Sequence, residues 1–233
     1  MIRLYLEDFA ANSEISLSHE QAHYVTTVMR KKAGDFVALF NNKQGEWVSE
    51  ITSADKKKCF LQLLRQSKKP VVTNKLGLVF APAKANYPTV IQKATELGIT
   101  DIYPIITERS VVKDFNFERM YKIAIEAAEQ SERINIPTLH EFRKLESLEF
   151  ANFSAIYLGD ESRDCKPMPA VLKEFKAGND ALIIGAEGGF TAGEFAFMKK
   201  HKNCHCVKLG DNILKADTAA IAAISIYKVV YCD

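Results

Sequence analysis

From position 76 onward, short apolar runs alternate with stretches whose apolar residues recur every three or four positions. The runs at 76–81, 101–106, 154–158, 181–184 and 205–209 predict strands, and the helical spacing predicts helices over 88–97, 117–133, 169–175, 194–201 and 216–230. Such alternation implies a parallel sheet covered on both faces, because each crossover lays a helix on the sheet. Before position 70 the pattern is different. Residues 2–6, 36–40, 46–51 and 59–64 read as strands, 41–45 as the turn of a hairpin, and 19–30 as a helix. A small β-rich domain over 1–70 is therefore expected, followed by an α/β domain over 75–233. The polar, proline-containing stretch 66–75 joins them.

Two strand-to-helix loops stand out. In LIIGAEGGFTAGE (182–194) an apolar run ends in Gly185, Gly188 and Gly189, and Thr191 with Glu194 forms a capping box that opens a helix. In LGDNILKADT (209–218) a Gly210-Asp211-Asn212 turn leads into an alanine-rich helix. Glycines at strand ends let the backbone approach a ligand, and two such loops at neighbouring strands form one pocket. Neither G-x-G-x-x-G nor G-x-x-x-x-G-K-[ST] occurs, which disfavours NAD and ATP as the ligand.

Composition narrows the class. The chain has 233 residues, 47% apolar and 26% charged, with a net charge of +2. Residues 1–75 hold 12 Lys+Arg against 8 Asp+Glu, whereas the remainder holds 19 against 21. The basic excess clusters at Arg30-Lys31-Lys32 and Lys56-Lys57-Lys58. Charge alone supports two readings equally, a polyanion-binding face or solvated hairpin tips. There is no apolar run of membrane-spanning length and no signal-peptide pattern, so a cytoplasmic protein is expected. The five cysteines show no C-x-x-C spacing and read as buried thiols. His201, Cys204, His205 and Cys206 suggest zinc, but strand alternation sends His205 away from both cysteines, so no metal is expected.

Several segments in fixed order, IQKATELG (91–98), ITERS (106–110), AAEQSER (127–133), IGAEGG (184–189) and LGDNILKADTAA (209–220), resemble the RsmE family of 16S ribosomal RNA uridine N3-methyltransferases, of the SPOUT superfamily. Residues 23–41, reading H-xxxx-V-M-R-xxx-G-D-xxxx-F-N, resemble the PUA-like RNA-binding domain that precedes the catalytic domain in that family. The pattern alone predicts an open sheet. The resemblance instead implies a SPOUT-type knotted parallel-sheet methyltransferase domain, S-adenosyl-L-methionine as cofactor, 16S rRNA of the small ribosomal subunit as partner, and a homodimer built through the C-terminal domain.

The same resemblance implies cofactor contacts at Leu158, Gly159, Ile184, Gly185, Glu187, Gly188, Gly189, Leu209, Gly210, Ile213, Leu214 and Thr218. S-adenosylmethionine has no phosphate, so backbone groups in apolar-walled loops suit it. RNA contacts are implied at Arg3, Arg30, Lys31, Lys32, Lys56, Lys57, Lys58 and Arg109. Catalytic roles are implied for Arg133, Glu129, Lys215 and Asp217. The chain departs from the family at Ala186, where proline is usual, at Lys215 and Asp217, where arginine and glutamate are usual, and at Asn86, where a basic residue is usual. A second reading therefore stands beside the enzyme, that of a non-catalytic RNA-binding protein with a degenerate SPOUT fold.

Overall fold

The computed structural model describes residues 1–10, 14–55, 57–72, 74–83, 87–112, 114–160 and 164–231. Lys56, Lys84 and Asn86 lie outside them. The chain forms two compact units, one of Met1–Val72 with Ala128–Ile136 and one of Thr73–Ala127 with Pro137–Asp233.

The first unit contains β1 (Ile2–Tyr5), β2 (Glu14–Ser16), α1 (His19–His23), β3 (Phe36–Asn41), β4 (Gly45–Ala54) and β5 (Cys59–Lys68), with the sheet order β1-β3-β4-β5-β2. The β3–β4 turn is closed by Asn41 Oδ1, which accepts the N–H groups of Lys43 and Gln44 at 2.9 and 2.7 Å. The β4–β5 turn uses Asp55 Oδ1 in the same way, accepting from Lys57 and Lys58 at 2.7 and 2.8 Å. Leu4, Val25, Val37, Leu39, Ile51 and Leu61 fill the core.

Three features differ from the pattern-based expectation, the first being β2, a short edge strand on β5 that was not among the expected strands. Strand β5 continues to Lys68, into the segment read as a linker, because its partner β4 is equally long and pairs as far as Glu46↔Lys68. The expected 19–30 helix keeps α-geometry only through α1, which Ser18 and Gln21 cap reciprocally; Tyr24–Val28 is then a π-helical turn. That turn ends at Arg30 with φ 54°, and the Lys31 N–H donates to the Val25 carbonyl at 3.0 Å.

The second unit contains β6 (Leu76–Phe80), α2 (Tyr87–Glu96), β7 (Asp101–Ile106), α3 (Phe117–Gln130), whose last turn belongs to the first unit, β8 (Thr138–Leu139), β9 (Arg143–Lys144), β10 (Ile156–Gly159), α4 (Met168–Leu172), β11 (Asp180–Ile184), α5 (Ala192–Lys199), β12 (Cys204–Val207) and α6 (Ala216–Tyr231). The sheet order is β12-β10-β11-β6-β7-β8, with β9 also on β7, and every pairing is parallel.

Alternation along the strands sends successive side chains to opposite faces. Val79, Ile105, Ile156, Leu158, Ala181 and Ile183 pack with Phe190 and Met198 of the α5 region. The other face carries Asp180, whose Oδ2 accepts the Tyr227 hydroxyl of α6 at 2.7 Å and whose Oδ1 accepts the Ala155 N–H at 3.1 Å. This fully buried carboxylate anchors α6 to the sheet, and burial, reinforced by the Asp180 carboxylate, pushes the Tyr227 hydroxyl well above its ordinary range. At the N-terminal end of β7, Asp101 Oδ1 lies 2.8 Å from His140 Nε2, and the His140 ring stacks on Tyr103 at 3.9 Å. No helix among the described residues is long and apolar enough to cross a membrane.

Candidate cofactor and active site

The C-terminal ends of three adjacent parallel strands, β10, β11 and β12, open into one cavity of about 730 Å³. Its walls are Gly159-Asp160 after β10, residues 184–190 after β11, and residues 208–216 after β12, with Arg109, Phe195 and Ala219 completing it. Open α/β sheets place ligands at this edge because the strand-end loops converge there.

The glycine loop is shaped by backbone needs. Gly189 has φ 64°, which favours a residue without Cβ, and its N–H donates to the Ala186 carbonyl at 2.8 Å, closing the turn without proline at 186. A Cβ on Gly185 would meet the Phe190 ring at 3.1 Å. Thr191 and Glu194 form the expected capping box at the start of α5. Glu194 does more than cap: it is 3% exposed, Oε2 accepts the Thr191 N–H at 2.8 Å, and Oε1 accepts the Glu108 N–H at 2.8 Å. One carboxylate thus ties the ITERS turn to the glycine loop. Arg109, in that turn, donates from Nη1 to the Gly188 carbonyl at 2.6 Å.

Of the residues the resemblance assigned to the cofactor, Gly159, Ile184, Gly185, Glu187, Gly188, Gly189, Leu209, Gly210, Ile213 and Leu214 line the cavity. Leu158 and Thr218 do not. Leu158 is wholly buried in the sheet core, one residue short of the strand end, and Thr218 lies on the exposed first turn of α6. Among the catalytic candidates Lys215 lines the cavity, whereas Asp217 accepts the Thr218 N–H at 2.8 Å within its own helix. Glu129 and Arg133 belong to the first unit. There Glu129 Oε1 accepts the Tyr5 N–H at 3.0 Å, and burial pushes the Arg133 guanidinium down to about 10, still cationic at neutral pH.

Arg109 was assigned to RNA and lines the cavity instead. Arg3 is a correction. It is 9% exposed, so it does not present its charge to RNA: Nε donates to Glu46 at 2.7 Å, Nη1 to the Ala128 and Glu129 carbonyls at 2.8 and 3.1 Å, and Nη2 to the Arg133 carbonyl at 2.9 Å. It neutralises the carbonyl end of α3, a favourable place for a cation, and brings 128–136 into the first unit. Burial raises the Glu46 carboxyl, but hydrogen bonds from Arg3 and Ser67 and the nearby positive charges outweigh that and hold it below the usual range. Arg30, Lys32, Lys57 and Lys58 are exposed and Lys31 is half-buried, beside Asp35.

Cysteine provides the second correction. Cys165 and Cys206 form a disulfide, with Cα atoms 5.6 Å apart, where buried thiols were expected; Cys59 and Cys204 are free. Asp160, Cys165 and Cys206 are the one group of three potential metal ligands among the described residues, and the disulfide engages both sulfurs. The sequence reading also missed Asp160, Phe190, Phe195 and Lys208 as cavity residues. Asp160 and Phe190 adjoin residues already singled out. Lys208 and Phe195 likewise adjoin Leu209 and Glu194, both singled out in the sequence.

Residues 68–228 match the family described as RNA methyltransferase domain, and residues 17–64 match the RNA methyltransferase PUA domain. A Rickettsia conorii protein named ribosomal RNA small subunit methyltransferase E is 36% identical over 227 residues, covering 96% of this chain and 93% of the relative. The chain belongs to the ribosomal RNA small subunit methyltransferase E family. The Bacillus subtilis protein of the same name is 28% identical over 225 residues, covering 90% of this chain and 88% of its own. A Legionella pneumophila structure in complex with the bound cofactor SAM superposes with a TM-score of 0.85 at 28% identity, covering 98% and 97% of the two chains. A Neisseria gonorrhoeae ribosomal RNA small subunit methyltransferase E shares the fold, with a TM-score of 0.87 at 24% identity over 99% and 98%. This family member thus carries an RNA methyltransferase domain built on a parallel α/β sheet, preceded by a PUA domain.

Proposed function

We propose that this chain transfers the methyl group of S-adenosylmethionine to N3 of a uridine in 16S rRNA of the small ribosomal subunit. The observation that carries the reading is the convergence of three strand-end loops on one cavity of about 730 Å³, a size suited to a nucleoside cofactor. Ile184, Leu209, Ile213 and Leu214 supply apolar wall, and the glycine loop supplies backbone donors and acceptors unobstructed by Cβ atoms. Leu158 packs in the core with Ala186 and Phe190, and Thr218 adjoins the cavity residue Ala219 on α6. When bound, S-adenosylmethionine supplies an electrophilic methyl group on a sulfonium.

The uridine N3 carries an imide proton that must leave as the N–C bond forms, so a cation beside N3 stabilises the anion that attacks. Lys215 is assigned that role because its side chain lines the cavity. Asp217, two residues further on in the first turn of α6 and outside the cavity lining, is assigned as the proton acceptor. Arg133 remains cationic at neutral pH despite its burial and is assigned, with Glu129, to holding the RNA-facing end of α3 in place. Arg30, Lys31, Lys32, Lys56, Lys57 and Lys58 meet the RNA phosphates. Arg109 orders the glycine loop through Gly188.

The loops are knotted as in the SPOUT superfamily, the protein acts in the cytoplasm where small subunits assemble, and it is a homodimer. Val229 of α6 and Ile213, 81% and 68% exposed, offer apolar surface in the C-terminal part for self-association. Equilibrium sedimentation distinguishes the 26.1 kDa monomer from a species of twice that mass.

The test is incubation of small subunits lacking the modification with protein and S-adenosylmethionine, followed by mass spectrometry of the digested rRNA. N3-methyluridine is expected in the wild type and is lost in Lys215→Ala with cofactor binding retained. Saturable calorimetric binding of S-adenosylmethionine without any methyl transfer to rRNA would overturn the assignment, and absence of binding would favour the non-catalytic RNA-binding reading.

A further inference from the structure

We propose that Cys165 and Cys206 are a reversible dithiol–disulfide site that pins the Lys208–Leu214 wall of the cavity and thereby sets its affinity for S-adenosylmethionine. The effect on affinity rests on the cofactor assignment above; the pinning does not.

The placement of the pair carries the proposal. Cys206 sits on β12, in register with Leu158 of β10, two residues before the wall begins at Lys208. On its other side β12 is flanked by the segment after Cys165. The Lys208 N–H donates to the Lys166 carbonyl, and the Met168 N–H to the Lys208 carbonyl, both at 3.0 Å, with Pro167 opposite Lys208 as a one-residue parallel bridge. Asp164, Lys166 and Pro167 are exposed, and among the described residues two backbone hydrogen bonds join this segment to Lys208 alongside the covalent bond. The disulfide joins positions 41 apart in the chain and closes a segment that includes β11, the glycine loop and α5. One covalent bond therefore fixes the start of one cavity wall relative to the segment that leaves the β10 wall.

The chemistry around the sulfurs suits a bond that opens and closes. Both cysteines are half-buried. Asp160, which lines the cavity, places Oδ2 3.1 Å from Cys206 Sγ and 3.5 Å from Cys165 Sγ, so in the dithiol state each S–H has a carboxylate acceptor. Lys199 Nζ lies 3.6 Å from the same oxygen and balances its charge. The oxidant is a low-molecular-weight disulfide such as glutathione disulfide. One protein thiolate attacks it to form a mixed disulfide and expel a glutathione thiolate. The second cysteine then attacks the protein sulfur, forms the Cys165–Cys206 bond and expels the other glutathione thiolate. The protein dithiol loses two electrons and two protons, and two glutathione thiols form.

In the reduced state the wall samples open arrangements, and apparent affinity falls by the fraction of time spent in them. If the competent arrangement drops to about a tenth, the Kd for S-adenosylmethionine rises about tenfold. The full chain is equilibrated with glutathione disulfide or with dithiothreitol. Thiol titration in denaturant is expected to find three thiols in the first form and five in the second. Amide exchange in 208–214 is expected to speed up on reduction, and calorimetry to show S-adenosylmethionine binding weakened about tenfold. Cys165→Ser and Cys206→Ser should behave as the reduced protein in either buffer, while Cys204→Ser keeps the full redox response. Five thiols in both forms, or equal exchange in 208–214, would overturn the proposal, as would equal affinity in the two forms. Faster exchange on reduction with no S-adenosylmethionine binding in either form would confirm the pinning and sink the cofactor assignment instead.

Discussion

Glu194 offers the sharpest test of how the glycine loop is built. Replacing it with alanine removes both carboxylate oxygens from a site that is 3% exposed and leaves the Glu108 and Thr191 N–H groups without their 2.8 Å acceptors. Hydrogen bonds to a charged group contribute about 1.5–3 kcal/mol each. The side chain's own desolvation, relieved by the substitution, offsets part of that sum. Loss of a negative charge at a helix N-terminus adds about 0.3–1 kcal/mol. A net destabilisation of about 3 kcal/mol follows, which for a chain of this size lowers Tm by roughly 6–12 °C. Glu194→Gln restores one acceptor but turns an NH2 group toward the other donor, so about half the loss should persist. Circular dichroism melts of the three proteins measure the shift. Fluorescence of Trp47, the single tryptophan, lies in the first unit and shows which unit unfolds. Because the carboxylate also holds the turn bearing Arg109, the Kd for S-adenosylmethionine should rise in Glu194→Ala well below its melting temperature. A melt within 2 °C of wild type, with unchanged affinity, would refute the tether.

Three further outcomes are expected. Arg30→Gly should raise stability by about 0.5–1 kcal/mol, since φ 54° costs a side-chain-bearing residue more than glycine, yet weaken RNA binding; urea melts and filter binding separate the two effects. For Asp101, burial raises the carboxyl, but the hydrogen bonds from His140 and Thr100 outweigh it, so the folded-state value lies below the unfolded one. The resulting stability is complete above about pH 4 and is lost as pH falls through the folded-state value; Asp101→Asn should flatten the acid limb of a urea-stability profile, and an unchanged limb would count against the pair. Replacing Lys57 and Lys58 with Gln should reduce the salt slope of RNA binding by about 1–2, with cofactor affinity unmoved, because both are exposed cations on a tight turn that Asp55 Oδ1 closes through their backbone N–H groups.

What the sequence determined by itself was local. Periodicity located the five helices of the second unit and five of its seven strands to within a few residues, missing only the two-residue strands β8 and β9, because strands buried on both faces must be continuously apolar and their covering helices must repeat at helical spacing. The capping box at Thr191 and Glu194 and the glycine loop were legible because caps and tight turns are written in adjacent residues. Tertiary structure decided whatever depends on residues distant in the chain. Glu194 shows this: its bond to Thr191 could be read from spacing, whereas its bond to Glu108 spans 86 residues and needed the β7 and β11 ends to be brought together. Arg3 looked like a surface cation until the carbonyls at the end of α3 and Glu46 closed around it. Cys165 and Cys206 read as separate buried thiols, because only the alignment of β12 with the segment before α4 sets their Cα atoms 5.6 Å apart. Side-chain type announces which contacts a residue is able to make, and the packing of distant elements selects which of them it makes.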